Sequence, residues 1–277
     1  MAAVIEEPGL QEITSQFDRD GFAVARGLFT PPEIAEIRDT FMDLAKNGPV
    51  EGISEFKPGS YKPEDPLAKY PRMMHPHAHP ELPVGPLARR FMLDPRLHTF
   101  LKTFLRDEPL AVQSMFYFKP PGARGQSLHQ DNFYLRVKPG TCVAAWIALD
   151  DADEENGGMM CVPKTSNMEI VCPEKADARA SFTNDHVPPP PGTQPVPVNL
   201  KAGDVLFFNG SVIHGSYPNT SATRFRRSLI FHYAPLTAQE LAHFYRNPTT
   251  FDGRILHIPT ATGGGPCGNI HEPTAPH

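Results

Sequence analysis

His129 and Asp131, in Leu128-His129-Gln130-Asp131, and the distant His214, in Val212-Ile213-His214-Gly215-Ser216, are the residues whose types and spacing best suit chemistry. Two imidazoles and one carboxylate on one face of an octahedral ion leave the other positions open, an arrangement that suits non-haem Fe(II), a bidentate ligand and O2. Residues i and i+2 of an extended segment point the same way, so His129 and Asp131 can share a metal while the third ligand arrives from another strand. A His-x-Asp triplet alone is weak evidence in a chain with 12 histidines. A second segment strengthens it: Gly203-Asp204-Val205-Leu206-Phe207-Phe208, then His214-Gly215-Ser216 and Asn219, then the basic run Arg224-Phe225-Arg226-Arg227-Ser228.

Other conspicuous residues have plainer readings. His75-Pro76-His77-Ala78-His79-Pro80 looks like a metal tract, but flanking prolines keep it irregular and it reads as a loop near the cavity. Asn156-Gly157-Gly158 reads as a turn with glycines at positive φ rather than a phosphate loop. The acidic run from Asp150 to Glu155 reads as a solvated loop, with calcium binding as the competing reading. Without the metal motif, Arg226 and Arg227 would read as solvated ends of an edge strand.

The elements that must position these residues follow from composition and periodicity. With 26 Lys+Arg against 31 Asp+Glu and a net charge of −5, the chain lacks the basic field of a general nucleic-acid binder. No apolar run approaches the roughly 18 residues of a membrane helix, and Met1 to Leu10 lacks a signal-peptide core, so no membrane association and a cytoplasmic location are expected. Cys142, Cys161, Cys172 and Cys267 form no CxxC pair and are too sparse for a disulfide framework, which predicts reduced thiols. The 32 prolines among 277 residues predict short strands joined by long connections.

Helices are predicted near Leu10 to Phe17, after the capping box Thr30-Pro31-Pro32-Glu33 with apolar Ile34, Ile37, Phe41 and Leu44, and over Pro86 to Leu105 with a break at Asp94-Pro95. The polar stretch from Glu51 to Pro71 reads as loop or lid. From Val112 the period changes, with strand-like runs over Val112 to Phe118, Cys142 to Leu149, Met159 to Val162, Val205 to Phe208 and Ser228 to Tyr233, which predict a sandwich or barrel. Phe182 to Pro197 reads as an extended insertion, and a final helix is predicted from about Thr237 with Leu241, Phe244 and Tyr245 as apolar positions. The expected organisation is one domain over residues 1–277: a helical part at about 10–105, a barrel at about 111–235, and a C-terminal helix and tail at 236–277.

Taken together, His129-Gln130-Asp131, Glu155-Asn156-Gly157-Gly158, Gly203-Asp204, His214-Gly215-Ser216 and Arg226 resemble the phytanoyl-CoA dioxygenase family of Fe(II)/2-oxoglutarate oxygenases, over roughly residues 15 to 240. The resemblance implies a mainly β fold with flanking helices, a double-stranded β-helix (a jelly-roll, cupin-like barrel). It also implies Fe(II) on His129, Asp131 and His214, with 2-oxoglutarate and O2 as co-substrates. The far carboxylate of 2-oxoglutarate would meet an arginine on a late strand. Alternation puts Arg226, Ser228 and His232 on one face and Arg227 on the other. In similar sequences the arginine precedes a closing aromatic by the interval that separates Arg226 from Tyr233. Arg226 is therefore the expected anchor, with Ser228 as an added hydroxyl donor, since a guanidinium fork suits a bidentate carboxylate. By the same resemblance Tyr117, which shares a face with Gln113, Met115 and Lys119, faces 2-oxoglutarate, and Trp146 packs beside the metal. Gln113 and Gln130 are candidates to face substrate. Arg72 is a candidate to reach a substrate anion or the co-substrate, with a salt bridge as the alternative.

The implied reaction is oxidative decarboxylation of 2-oxoglutarate to succinate and CO2, coupled to hydroxylation of a C–H bond in a small-molecule metabolite. Related halogenases have a small residue where this chain has Asp131, which favours hydroxylation; desaturation, epoxidation and ring formation use the same triad. Arg72, Lys119 and Arg136 keep anionic substrates open. Two other readings stand beside it: a non-catalytic cupin-like metal- or ligand-binding protein, which has no need of Arg226, and a protein- or peptide-modifying oxygenase with a groove bordered by Val187 to Pro197.

Overall fold

The computed structural model describes residues 7–55, 62, 64–245, 247–262 and 267. Helix α1 (Glu7–Asp20) leads into β1 (Phe22–Ala25), followed by α2 (Pro31–Ala45), α3 (Pro66–Lys69), β2 (Met73–Met74), a 3-10 turn (Pro76–Ala78), α4 (Val84–Met92) and α5 (Pro95–Leu105). The strand-rich part comprises β3 (Pro109–Lys119), β4 (Gln126–His129), helix α6 (Asp131–Leu135), β5 (Val143–Ala148), β6 (Met159–Cys161) and β7 (Glu174–Lys175). It continues through β8 (Asp185–His186), β9 (Val196–Val198), β10 (Val205–Asn209), β11 (His214–Ser216), β12 (Arg226–Pro235) and β13 (Thr249–Thr250).

Local chemistry sets the helix starts. The Glu33 carboxylate accepts from the Thr30 N–H at 2.8 Å and from its hydroxyl at 2.7 Å, the carboxylate half of a capping box at the start of α2. Asp94 caps α5 by accepting from the Arg96 N–H at 2.9 Å, so Asp94-Pro95 separates two helices as the sequence predicts. The guanidinium of Arg96 then holds both Glu33 and Asp94, tying α2 to α5, and beside it the Glu33 carboxyl is held down to about 2.

Seven strands form one antiparallel sheet in the path β1-β10-β5-β12-β3-β13, with β2 also on β3; four form a second in the order β4-β11-β6-β9. This two-sheet arrangement is the jelly roll the family resemblance implies. Alternation divides the large sheet into two apolar faces. Phe116, Phe118, Ala145, Ile147, Phe207, Leu229, Phe231 and Tyr233 pack outward against Ile34, Ile37 and Phe41 of α2, Phe91 of α4, and Phe100 and Phe104 of α5. Met115, Tyr117, Trp146, Leu206, Phe208 and Ile230 point inward, towards Met159 and Cys161 of the small sheet. The helices thus cover one face and leave the other to line the space between the sheets.

Two expectations are corrected. The C-terminal helix from Thr237 is absent: the N–H groups of Gln239 and Glu240 donate to Lys138 O, that of Leu241 to Pro259 O and that of Ala242 to Leu135 O. These donors are committed to other segments, so the apolar spacing of Leu241 and Tyr245 serves burial in an irregular chain. The thiols are not all reduced: Cys172 and Cys267 form a disulfide across 95 residues, whereas Cys142 and Cys161 are free and buried. Of the predicted C-terminal tail, residues 263–266 and 268–277 lie outside the described residues. No helix among the described residues is long and apolar enough to cross a membrane.

Candidate metal centre

His129 closes β4 and His214 opens β11, and the two are direct cross-strand partners. Their rings lie 4.2 Å apart between centroids. Gln130 is extended (φ −123°, ψ 124°), so the chain delivers Asp131, the first residue of α6, to the same side as His129. One ligand atom from each of His129, Asp131 and His214 lies within 4.8 Å of the others, and all three residues are buried. The Asp131 Oδ1 sits 3.5 Å from Nε2 of both histidines.

The donor set fits a divalent cation. His129 Nδ1 lies 2.8 Å from Ser127 O and His214 Nδ1 lies 3.0 Å from Val212 O. A carbonyl only accepts, so both Nδ1 atoms carry the proton and both Nε2 atoms present a lone pair. Burial holds His214 neutral by lowering its pKa to about 4. Two imidazole lone pairs and a carboxylate oxygen thus converge on one buried point, which a metal ion resolves. The second Asp131 oxygen, Oδ2, is 2.9 Å from Nε2 of His232 on β12, which orients the carboxylate from the opposite sheet.

Between the sheets lies a cavity lined by Asp131, His214, Ser216, Gln126 and Met159 on one side and by Met115, Tyr117, Trp146, Phe208, Arg226, Ile230 and His232 on the other. Arg226 reaches it from the first position of β12. Its Nε donates to Gly157 O at 2.9 Å, its Nη1 lies 3.1 Å from Ser228 Oγ, and its guanidinium stands 5.4 Å from the Trp146 ring. Burial pushes Arg226 down to about 10, so it stays charged at neutral pH. Arg227 points outward to Asp150, at 2.7 and 2.8 Å. The turn at Gly157 (φ +85°) therefore serves to hold the arginine; a Cβ there would fall 2.3 Å from Lys119 Cδ.

The remaining candidates divide. Tyr117 and Trp146 line the cavity. Arg72 donates to the Tyr117 hydroxyl at 2.8 Å and is paired through Nε and Nη2 with Glu55, so it orients Tyr117 within a largely buried ion pair. Gln130 is a correction: its amide donates to Ser211 O at 2.8 Å and accepts from Val171 N at 2.8 Å, and it does not line the cavity. The alternation that brings His129 and Asp131 inward turns Gln130 away. Gln113 is fully buried opposite His232 in the β3–β12 register and is not among the residues that line this cavity. The acidic run is a largely exposed loop whose carboxylates meet cations: Asp150 pairs with Arg227, Asp151 with Lys201, and Asp153 and Glu155 with Arg224. His75 and His77 are half-buried in and beside the 3-10 turn, with His77 Nδ1 2.5 Å from Ser114 Oγ. Sequence reasoning missed Ser216 as a lining residue, although its place two residues after His214 on an extended strand was the available signal. Phe208, its ring centroid 4.3 Å from that of His214 and tilted to it, carried no signal beyond its apolar run.

Comparison with known proteins agrees with this geometry. Residues 17–228 match the family model described as phytanoyl-CoA dioxygenase (PhyH). The chain is 27% identical over 236 residues to phytanoyl-CoA dioxygenase 1 of Oryza sativa subsp. japonica, covering 80% of each chain. In fold it is similar to the epimerase SnoN, solved with Fe3+, α-ketoglutarate and nogalamycin RO, at a TM-score of 0.64 and 21% identity over 84% of this chain and 86% of that one. It is likewise similar to the α-ketoglutarate-dependent carbocyclase SnoK of nogalamycin biosynthesis, at a TM-score of 0.64 and 22% identity over 83% and 85%.

Proposed function

The chain belongs to the phytanoyl-CoA dioxygenase family of 2-oxoglutarate-dependent dioxygenases, and from that premise we propose that it hydroxylates a C–H bond of a small-molecule metabolite, releasing succinate and CO2. The observation that carries this reading is the convergence of His129, Asp131 and His214 beside a cavity whose far wall holds the charged Arg226. Bound Fe(II) with 2-oxoglutarate supplies O2 activation, with oxidative decarboxylation of the co-substrate providing two of the electrons.

The chain's own residues have defined tasks in this reading. His129, Asp131 and His214 hold the metal, and His232 fixes the Asp131 carboxylate. Arg226 and Ser228 receive the far carboxylate of the co-substrate, while Tyr117, steadied by Arg72, and Trp146 form its walls. Met115, Met159, Phe208 and Ile230 keep the site apolar and exclude water. Retention of a carboxylate at Asp131 favours hydroxylation over halogenation. One oxygenase domain in the cytoplasm completes the reading.

The test is a screen of small carboxylates, amino acids and phosphonates for succinate release matched by an oxygen-bearing product, with Fe(II), 2-oxoglutarate and O2 supplied. A metabolite that yields succinate and hydroxylated product in equal amounts supports the proposal. Stimulation by peptides alone would replace the substrate class with a protein or peptide, and a product that differs by two hydrogens would replace hydroxylation with desaturation or ring closure.

A further inference from the structure

Lys119, the last residue of β3, is 1% exposed, and its register partner on β12 is Arg226, itself 2% exposed. Neither forms an ion pair among the described residues; the Lys119 ammonium donates to Ser216 Oγ at 2.7 Å and Tyr217 O at 2.6 Å, and Arg226 meets Gly157 O and Ser228 Oγ. Two neighbouring buried cations without a carboxylate are costly, and an incoming anion offsets that cost. Ser216 lines the cavity, whereas Lys119 stands behind it. A serine oxygen that accepts from an ammonium keeps its own O–H to donate elsewhere, here into the cavity beside Arg226.

We propose that Lys119 is a positioning residue for 2-oxoglutarate: it acts through Ser216 and adds a second positive charge to the subsite that receives the far carboxylate. The inference rests on the placement of that carboxylate at Arg226. The stem of Lys119 also fills the space a side chain at position 157 would occupy, so the lysine, the Gly157 carbonyl and Arg226 form one packed unit. Burial, with Arg226 adding to it, pushes the lysine well down, and an anion at this subsite favours the charged form. The account predicts selectivity for a 2-oxo acid with a second carboxylate, since the charge has nothing to meet when that group is replaced by a methyl.

The test is calorimetric binding of 2-oxoglutarate and of 2-oxopentanoate, its far carboxylate replaced by methyl, to Mn(II)-loaded wild type and to Lys119→Gln, Lys119→Met, Ser216→Ala and Arg226→Met variants. Wild type should prefer 2-oxoglutarate, and Arg226→Met should abolish the preference. Lys119→Gln, which keeps a donor but removes the charge, should weaken 2-oxoglutarate about tenfold or more and leave 2-oxopentanoate unchanged. Ser216→Ala should shift the same way, and it reports the link even where a lysine variant folds poorly. Loss of both ligands to the same degree in Lys119→Gln and Lys119→Met, or unchanged 2-oxoglutarate binding, would reduce Lys119 to a packing residue and overturn the inference. Absence of a preference in wild type, or its survival in Arg226→Met, would overturn the Arg226 placement itself and the inference with it.

Discussion

Asp131 takes its orientation from both sheets: the chain direction through extended Gln130 on one side, and His232 Nε2 at 2.9 Å on the other. A ligand's outer partners tune affinity by about 10–100-fold. His232→Ala should therefore lower metal affinity by about that factor while the protein stays folded, read by competition with a chelator and by thermal melting; unchanged affinity would show that the histidine only packs. The ligands were legible because alternation applies to an extended His-x-Asp pair. The same rule places Gln130 on the far side, where it binds the backbone of Ser211 and Val171. The role of His232 was not legible, because a hydrogen bond between opposite sheets depends on how the barrel closes.

At the scale of elements, short irregular pieces carry the site's precision. The turn at Gly157 combines positive φ with a carbonyl that accepts from Arg226, and a Cβ would meet Lys119 Cδ at 2.3 Å and Tyr217 O at 3.0 Å. Gly157→Ala should cost about 1–3 kcal/mol of stability. It should also weaken 2-oxoglutarate about tenfold, measured by melting and by calorimetric titration. The His75–His77 turn carries a pH dependence. Burial lowers His75 to about 4 and His77 to about 3, against an ordinary 6.5. Between pH 6.5 and about 4 the unfolded chain binds more protons than the folded one, so stability falls as pH falls through that window. His214, lowered to about 4, adds to them in the metal-free protein; each histidine contributes about 1.4 kcal/mol per pH unit there, so urea unfolding should show a loss of about 4 kcal/mol from pH 7.5 to 5.5. His77→Gln should remove about a third of that loss, and a flat profile would contradict the neutral assignment. The turn itself was read correctly as irregular, but its burial follows from contacts with β3, such as His75 N to Ser114 O, that local pattern does not encode.

For the whole molecule, the strand-rich middle was legible because core strands buried on both faces read as near-continuous apolar runs, and the jelly roll then brings β4 and β11 side by side. The C-terminal segment was not, since Gln239 to Ala242 give their backbone donors to Lys138, Leu135 and Pro259 rather than to a helix. The Cys172–Cys267 bridge was equally hidden: two cysteines 95 residues apart carry no pairing signal. Closing so long a loop should stabilise the oxidised protein by about 2–4 kcal/mol, and urea unfolding of wild type against Cys267→Ser checks it. A difference near zero would mean that the C-terminal segment is held by packing alone. The central claim joins the two sheets: a metal on the small one and a co-substrate anchor on the large one. It is tested most directly by anaerobic titration of the Fe(II)-loaded protein with 2-oxoglutarate, following the visible metal-to-ligand charge-transfer band. A band in wild type, absent in His214→Ala and shifted to about tenfold or higher half-saturation in Arg226→Ala, is the predicted result; folded, iron-loaded wild type that develops no band would contradict it.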